Sequence, residues 1–376
     1  MIAHLMTTSP TFADRLARAQ HAMASAGVAA LLVGPGADLR YLTGYAAVAL
    51  ERLTMLVVRA DGTHTLMVPE LERASALHQV ADLDVAVDLA AYGETDNPFH
   101  LARDLLGGLH QETFGVGDQM WAMFLLGMQD VLPGARWRRA TPVLRELRMR
   151  KTADEVDALR RAAQAIDQVH RQVPQFLAAG RSELEVGRDI AAAIVAAGHT
   201  EADFVIVGSG PNSASPHHET GSRQLEVGDA VVVDIGGPMP DGYFSDCTRN
   251  YVVGHAPDGY AEIHAVLEQA QRAACEAVRP GVTAASIDAA AREVLDEAGW
   301  AQWFIHRTGH GIGLDVHEEP YIVAGNELIL EPGMTFSIEP GVYLPERFGM
   351  RIEDIVAVTT DGAERLNTLE REAVVA

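Results

Sequence analysis

The phrase "LEVGDAVVVDIGG", beginning at Leu225, returns as "LEPGMTFSIEPGV" at Leu330. Each copy runs Leu-Glu-x-Gly, then five residues, then a carboxylate with Gly two positions later; the acid is Asp234 in the first copy and Glu339 in the second. No other feature constrains the fold as tightly. The run "AVVV" reads as a buried strand that Asp234 ends, and an ionised carboxylate there is costly unless something neutralises it. Each copy is followed by a turn and a returning segment. "GGPMPDG" leads into "YFSDCTRNYVV", which brings Asp246, and "PGVYLPERFG" leads into "MRIEDIVAV", which brings Glu353. Two hairpins, each carrying two acids, are therefore expected.

The duplication extends upstream. Gly180 and Gly281 each precede a helical segment, those segments end at Gly198 and Gly299 at the same offset, and a strand signal follows each ("ADFVIVG" and "QWFIHRTG"). Two helix–strand–hairpin halves with matched punctuation predict an internal pseudo-twofold. Two units are too few for a solenoid, so the halves are expected to pack on each other and share one cleft.

At 376 residues the chain outgrows one ordinary core, and two domains are expected. Phe12, Leu16, Ala19 and Met23 recur at helical spacing before Gly27, and "VAALLV" (28–33) follows as a buried strand. "RLTMLVVRADGTHTLMV" reads as a hairpin turning at Asp61-Gly62. Strand and helix signals alternate to about residue 145, the mark of an α/β domain. The pattern then changes. Thr152 and Glu155 form a capping-box pair, Val156, Leu159, Ala163, Ile166 and Val169 line one helical face, and Pro174 is expected to kink or split that helix. The domains are read as 1–147 and 148–376.

Composition narrows the function classes. A net charge of −23 argues against nucleic acid or an anionic membrane as a partner. Cys247 and Cys275 are too few for a disulfide framework or a thiolate metal site, which fits a reducing cytosol. "MIAHLMTTSPTFADRL" lacks the basic and apolar regions of a signal peptide, and no run approaches the roughly 18 apolar residues of a spanning helix. A cytoplasmic protein is expected.

Four acids facing one another across a pseudo-twofold repel strongly, and repulsion on that scale implies bound cations. In "RTGHGIGLDVHEEP", His310 sits between glycines, where a ligand can approach closely. One imidazole and four carboxylates exceed the needs of one small ion and suit two. A mostly oxygen shell favours Mn²⁺, with Co²⁺, Zn²⁺ or Fe²⁺ as alternatives. Paired ions of this kind acidify a shared water and clamp the oxyanion formed when it attacks a carbonyl. Taken singly, each acid reads as a turn or edge residue; the metal reading rests on the set. The glycines around His310 are not a nucleotide loop, because Gly309, Gly311 and Gly313 lack the G-x-G-x-x-G spacing.

At these residues the chain resembles the pita-bread metallopeptidases of the Xaa-Pro dipeptidase (prolidase) and Xaa-Pro aminopeptidase family. The likeness is carried by "VVVDIGG", "SDCTR", "GHGIGLDVHEEP", "SIEPGVY" and "MRIED", and in the first domain by "VGPGADLRYLTGY". It implies a creatinase-like N-terminal α/β domain followed by a pita-bread catalytic domain. By the same resemblance Asp234, Asp246, His310, Glu339 and Glu353 ligate two divalent metal ions, Asp246 and Glu353 bridge them, and Glu339 carries the proton from a bridging water to the leaving proline nitrogen. His217, His306, His317 and Arg351 would position the scissile amide and stabilise its oxyanion. His218 competes with His217 for that place, His306 also reads as a packed strand histidine, and Arg351 also reads as a salt-bridge partner of Glu353. The resemblance further implies a homodimer and a small peptide substrate with proline second. A dipeptidase is preferred over an Xaa-Pro aminopeptidase acting on longer peptides; a non-proline dipeptidase or a metal-free creatinase-like or binding protein is less favoured. Some prolidases carry an arginine after the proline of "VHEEP"; here that residue is Tyr321, and Arg347 is the substitute for anchoring a substrate carboxylate.

Overall fold

The computed structural model describes residues 11–81 and 83–376. The first ten residues of the segment read for a signal peptide therefore lie outside the described residues. Two units emerge, Met1–Arg148 and Met149–Ala376. Among the described residues no helix is long and apolar enough to cross a membrane.

The first unit is built on a six-stranded mixed sheet. Its strands are β1 (Ala30–Val33), β2 (Met55–Arg59), β3 (His64–Pro69), β4 (Asp88–Tyr92), β5 (Thr113–Val116) and β6 (Arg136–Arg139), in the order β4-β3-β2-β1-β5-β6. The helix Phe12–Ala26 has the expected buried stripe of Leu16, Ala19 and Met23 and ends on left-handed Gly27. β1 starts two residues later than the apolar run suggested. The β2–β3 hairpin turns where expected, with Gly62 rather than Asp61 taking the positive φ.

In the second unit the duplication is visible in the backbone. Each half opens with a helix of 18 residues (Ala153–His170 and Tyr260–Ala277) and continues with one of 14 (Glu183–Ala196 and Ala284–Glu297). Ser182 and Thr283 cap the shorter helices. Gly180 N–H donates to the Leu225 carbonyl at 2.8 Å, and Gly281 N–H donates to the Leu330 carbonyl at 2.9 Å. Gly228 and Gly333, the glycines of the repeated phrase, both turn with positive φ (98° and 87°), which a side chain would strain. The expected capping box at Thr152 and Glu155 is present, and Pro174 does split its helix: a separate short helix, Val173–Phe176, follows.

The first half contributes β7 (Phe204–Ser209), β8 (Ala230–Pro238) and β9 (Phe244–Val252). The second contributes β10 (Gly309–Gly311), β11 (Glu318–Ile322), β12 (Thr335–Ile338), β13 (Gly341–Leu344), β14 (Phe348–Arg351), β15 (Asp354–Val358), β16 (Ala363–Arg365) and β17 (Val374–Val375). Their sheets run β17-β9-β8-β7 and β11-β10-β12-β15-β16, with β13-β14 as a separate hairpin. Two expectations need correction. Asp234 does not end its strand, because β8 continues to Pro238. The segment "QWFIHRTG" is not a strand: Ala301–Trp303 forms a 3-10 turn, and only Gly309–Gly311 pairs. Trp300 and Trp303 pack against the apolar core of this half from that turn, so aromatic content there reports burial rather than extended backbone.

Candidate active site

Register explains how the acids converge. In the β8–β9 hairpin Asp234 opposes Thr248 and Gly236 opposes Asp246. Asp234 and Asp246 are therefore diagonal neighbours on one face, not a directly opposed pair. In the second half β12 pairs with β15 up to Ile338 opposite Asp354, so Glu339 and Glu353 lie one step beyond the ladder. The β13–β14 hairpin is inserted at that opening and delivers Tyr343 and Arg351. A 3.2 Å bond from Glu353 N–H to the Thr248 carbonyl ties the two halves together.

All nine residues assigned to the site from sequence line one cavity of about 620 Å³: His217, Asp234, Asp246, His306, His310, His317, Glu339, Arg351 and Glu353. That volume is typical of a small-ligand pocket. Donor atoms of Asp246, His310 and Glu353 lie within 4.8 Å of one another. His310 Nδ1 donates to the Gly311 carbonyl at 3.2 Å, which turns Nε2 toward Glu339 Oε1 (3.2 Å) and Asp246 Oδ2 (3.6 Å). Ser337 Oγ accepts the His310 N–H and donates to Glu339 Oε1 at 2.9 Å.

The glycines around His310 serve close backbone approach. A Cβ on Gly309 would fall on the Ser337 carbonyl oxygen, and one on Gly311 on that of Glu319. Gly309→Ala is expected to cost about 1–3 kcal/mol of stability or more. It should also weaken metal binding, because the Ser337–His310 contact must open. Urea unfolding with and without Mn²⁺ checks both.

The charge balance fits cations. Burial, then the neighbouring acids, push Asp246 and Glu353 well above the carboxylate range. Asp234 is also raised, because burial outweighs its 2.5 Å bond to Arg351 Nη2. Its Oδ1 is buried without a hydrogen-bond partner among the described residues. Glu339 differs. Burial would raise it, but the hydrogen bond and charge of His310, with His306 and Arg351, hold it at about 2. Four carboxylates, one of them with an orphaned oxygen, and an imidazole nitrogen turned inward form the donor set that divalent ions require. A cation among them would relieve the repulsion that raises Asp246 and Glu353.

Arg351 is fully engaged. Burial would lower its pKa, but Tyr343, Asp234 and Glu339 hold it raised. Nε donates to Thr248 Oγ1 (3.0 Å) and Nη1 to Tyr343 Oη (2.9 Å), so its partner is Asp234 and not Glu353. Thr248 Oγ1 in turn donates to Glu353 Oε2 at 2.7 Å. His306 Nδ1 donates to the Arg307 carbonyl, leaving Nε2 to accept from Tyr343 at 2.8 Å. The Arg292–Asp288 pair grips that loop through the His306 carbonyl and Thr308. His317 packs edge-on against His310 with ring centroids 4.1 Å apart; burial, then the charges of His310 and Arg307, hold it at about 4.

The alternatives sort by position. His217 lines the cavity, whereas His218 Nε2 bonds Glu183 Oε2 at 2.7 Å. Arg347 does not line the cavity; it stacks on Phe348 and donates to the Asp258 carbonyl at 3.3 Å. Its expected role as carboxylate anchor is therefore not supported. Sequence reading missed Thr248, Tyr343, Ser337 and Glu183. Thr248 had a signal, since it lies two residues beyond Asp246 on the same face of a strand.

Glu183 is fully buried and pins the loop that carries His217, accepting from Ser209 N–H (2.8 Å), Asn212 Nδ2 (3.0 Å) and His218. Leaving buried donors such as Ser209 N–H and Asn212 Nδ2 without their acceptor costs about 1–3 kcal/mol for each group. Glu183→Ala is expected to lose that much stability in urea and to raise KM by misplacing His217, with metal content unchanged.

The sequence of residues 157–360 matches metallopeptidase family M24, and residues 15–150 match the creatinase/prolidase N-terminal domain. The chain belongs to family M24. It is a metallopeptidase with a creatinase-type N-terminal domain and a pita-bread catalytic domain, in a family that uses divalent metals. A probable dipeptidase PepE of Mycobacterium tuberculosis is 54% identical over 97% of this chain and 96% of that one. The crystal structure of dipeptidase PepE from Mycobacterium ulcerans superposes with a TM-score of 0.91 at 53% identity, covering 97% and 98% of the two chains. An Xaa-Pro dipeptidase of Pyrococcus furiosus is 33% identical over 82% of this chain and 85% of its own. The M24 chains share the fold and the enzyme class; bond specificity is a separate matter.

Proposed function

We propose that this protein hydrolyses dipeptides of the Xaa-Pro type with two divalent metal ions. The observation that carries the reading is the convergence of Asp234, Asp246, His310, Glu339 and Glu353, from two duplicated hairpins and a glycine-flanked strand, on one buried cavity. Asp246 and Glu353, whose donors crowd with His310, would hold the ions together with Asp234, His310 and Glu339. When bound, the ions supply Lewis acidity, acidifying the attacking water and polarising the scissile carbonyl. Glu339 stays ionised at neutral pH and accepts the proton that the water gives up, then passes it to the proline nitrogen. The nitrogen needs that proton because it must leave as an amine and not as an amide anion. Tyr343, bonded to both His306 and Arg351, fixes those two side chains in place at the cavity wall. His217 and His317 line the same cavity and complete the group that positions the amide.

The dipeptide preference is supported by the relatives named as dipeptidases, and manganese by the oxygen-rich donor set. A cytoplasmic location is supported by two unpaired cysteines, and a homodimer by the family resemblance. The test is hydrolysis of Ala-Pro, Ala-Leu and Ala-Pro-Ala by chelated protein reloaded with Mn²⁺. Cleavage confined to Ala-Pro is expected. Preference for the tripeptide would make this an Xaa-Pro aminopeptidase, and equal cleavage of Ala-Leu would remove proline from the specificity.

A further inference from the structure

Two arginines line the active-site cavity, Arg351 and Arg307. Arg351 is neutralised by Asp234 and bonded on every side. Arg307 is not. Among the described residues no carboxylate or hydrogen-bond acceptor meets its guanidinium, which instead lies over the Tyr321 ring with Cζ 4.5 Å from the centroid. Tyr321 faces His310 across the β10–β11 ladder, so that ring is fixed to the strand bearing the metal-ligand candidate. Arg307 itself follows His306 on the loop gripped by Arg292 and Asp288. An arginine that meets no acceptor among the described residues of a chain with 52 acids, yet is stacked on an aromatic ring and lines the candidate substrate cavity, has the chemistry of a carboxylate receptor. Its fork matches a carboxylate bidentately, and the ring beneath limits the entropy lost when it binds.

We infer that Arg307, seated on Tyr321, binds the C-terminal carboxylate of the substrate and so sets its length at two residues. This rests on the dipeptidase reading above. An amide or a further residue at that end removes the charge from the place where Arg307 waits, and the longer substrate is disfavoured without any steric barrier.

The test compares Ala-Pro with Ala-Pro-amide on the Mn²⁺-loaded wild type, Arg307→Ala, Arg307→Lys and Tyr321→Leu proteins. A charged hydrogen-bonded pair is worth about 10- to 100-fold. Arg307→Ala should lose that much kcat/KM on Ala-Pro, mainly through KM, and nothing on the amide. Arg307→Lys should recover part of the preference, and Tyr321→Leu should lose a smaller part. Equal losses on both substrates would overturn the assignment while leaving the dipeptidase reading intact. Calorimetric binding of the same two compounds in a Glu339→Ala background separates the ideas from the other side, since it needs no turnover. If neither compound is cleaved by the wild type, the dipeptidase reading fails; a preference for Ala-Pro that is kept when Arg307→Ala is added sinks the carboxylate receptor on its own.

Discussion

The Glu339→Ala protein is expected to cleave Ala-Pro about 10²- to 10⁴-fold more slowly than the wild type, the range that a positioned proton-transfer group supplies. The loss should fall on kcat, because a group used only as bonds change contributes little to holding the substrate. Glu339 is also one of five candidate metal ligands, so the experiment must separate a lost proton carrier from a lost ion. Asp246, His310 and Glu353 retain their mutual approach without Glu339, and metal content after gel filtration should show at least one ion still bound. Slow turnover with metal in place supports the proton-transfer role. Slow turnover with the metal gone would reduce Glu339 to a ligand, and unimpaired turnover would remove it from the chemistry. The hydrogen bond from Ser337 adds a graded check, since Ser337→Ala frees one Glu339 oxygen and also the His310 N–H.

What the chain reveals before folding follows from cost. A carboxylate directly after an apolar run is expensive, so Asp234 and Glu339 stand out, and the repeated Leu-Glu-x-Gly turns mark where their hairpins begin. His310 stands out because the glycines on both sides leave room for backbone, not side chain. Hydroxyl groups carry no such penalty. Tyr343 sits in a strand, where tyrosine is common, and nothing local separates it from packing residues; Thr248 is marked only by its place two residues beyond Asp246. Arg307 was hidden for another reason, since its distinction is that it meets no acceptor among the described residues, which only the fold displays. Sequence also overestimated regularity around Glu353. That residue falls in the break between β14 and β15, at the join where the inserted hairpin returns to the sheet. The repeat predicts two matching hairpins; the insertion of β13–β14 in one copy is what makes the cleft asymmetric and gives Arg351 and Tyr343 to one side only.

Removing an acid from this site should stabilise the metal-stripped protein and weaken the loaded one. Asp246 and Glu353 are raised by burial and by neighbouring acids well above their ordinary values of 3.8 and 4.5. Between the ordinary and raised values the folded protein binds more protons than the unfolded chain. Stability conferred at low pH is then lost as pH rises through that window. The buried histidines act in the opposite sense. His170, held at about 3 chiefly by burial, makes stability rise with pH up to its ordinary value of 6.5. Comparing wild type with Glu353→Gln cancels that common background. In chelator the variant should gain on the wild type as pH rises and exceed it at pH 8, because one of the repelling charges has gone. With Mn²⁺ in excess the order should invert. A ligand at one hundred times its Kd adds about 2.7 kcal/mol to a protein that binds it, and the variant has lost an oxygen donor from the crowded set. A variant less stable than the wild type in both conditions would mean that Glu353 is held for packing and its bond to Thr248, not for a cation. The inversion is the signature that ordinary buried acids lack: a structural carboxylate stabilises with or without metal, whereas one kept for an ion destabilises the fold until the ion arrives.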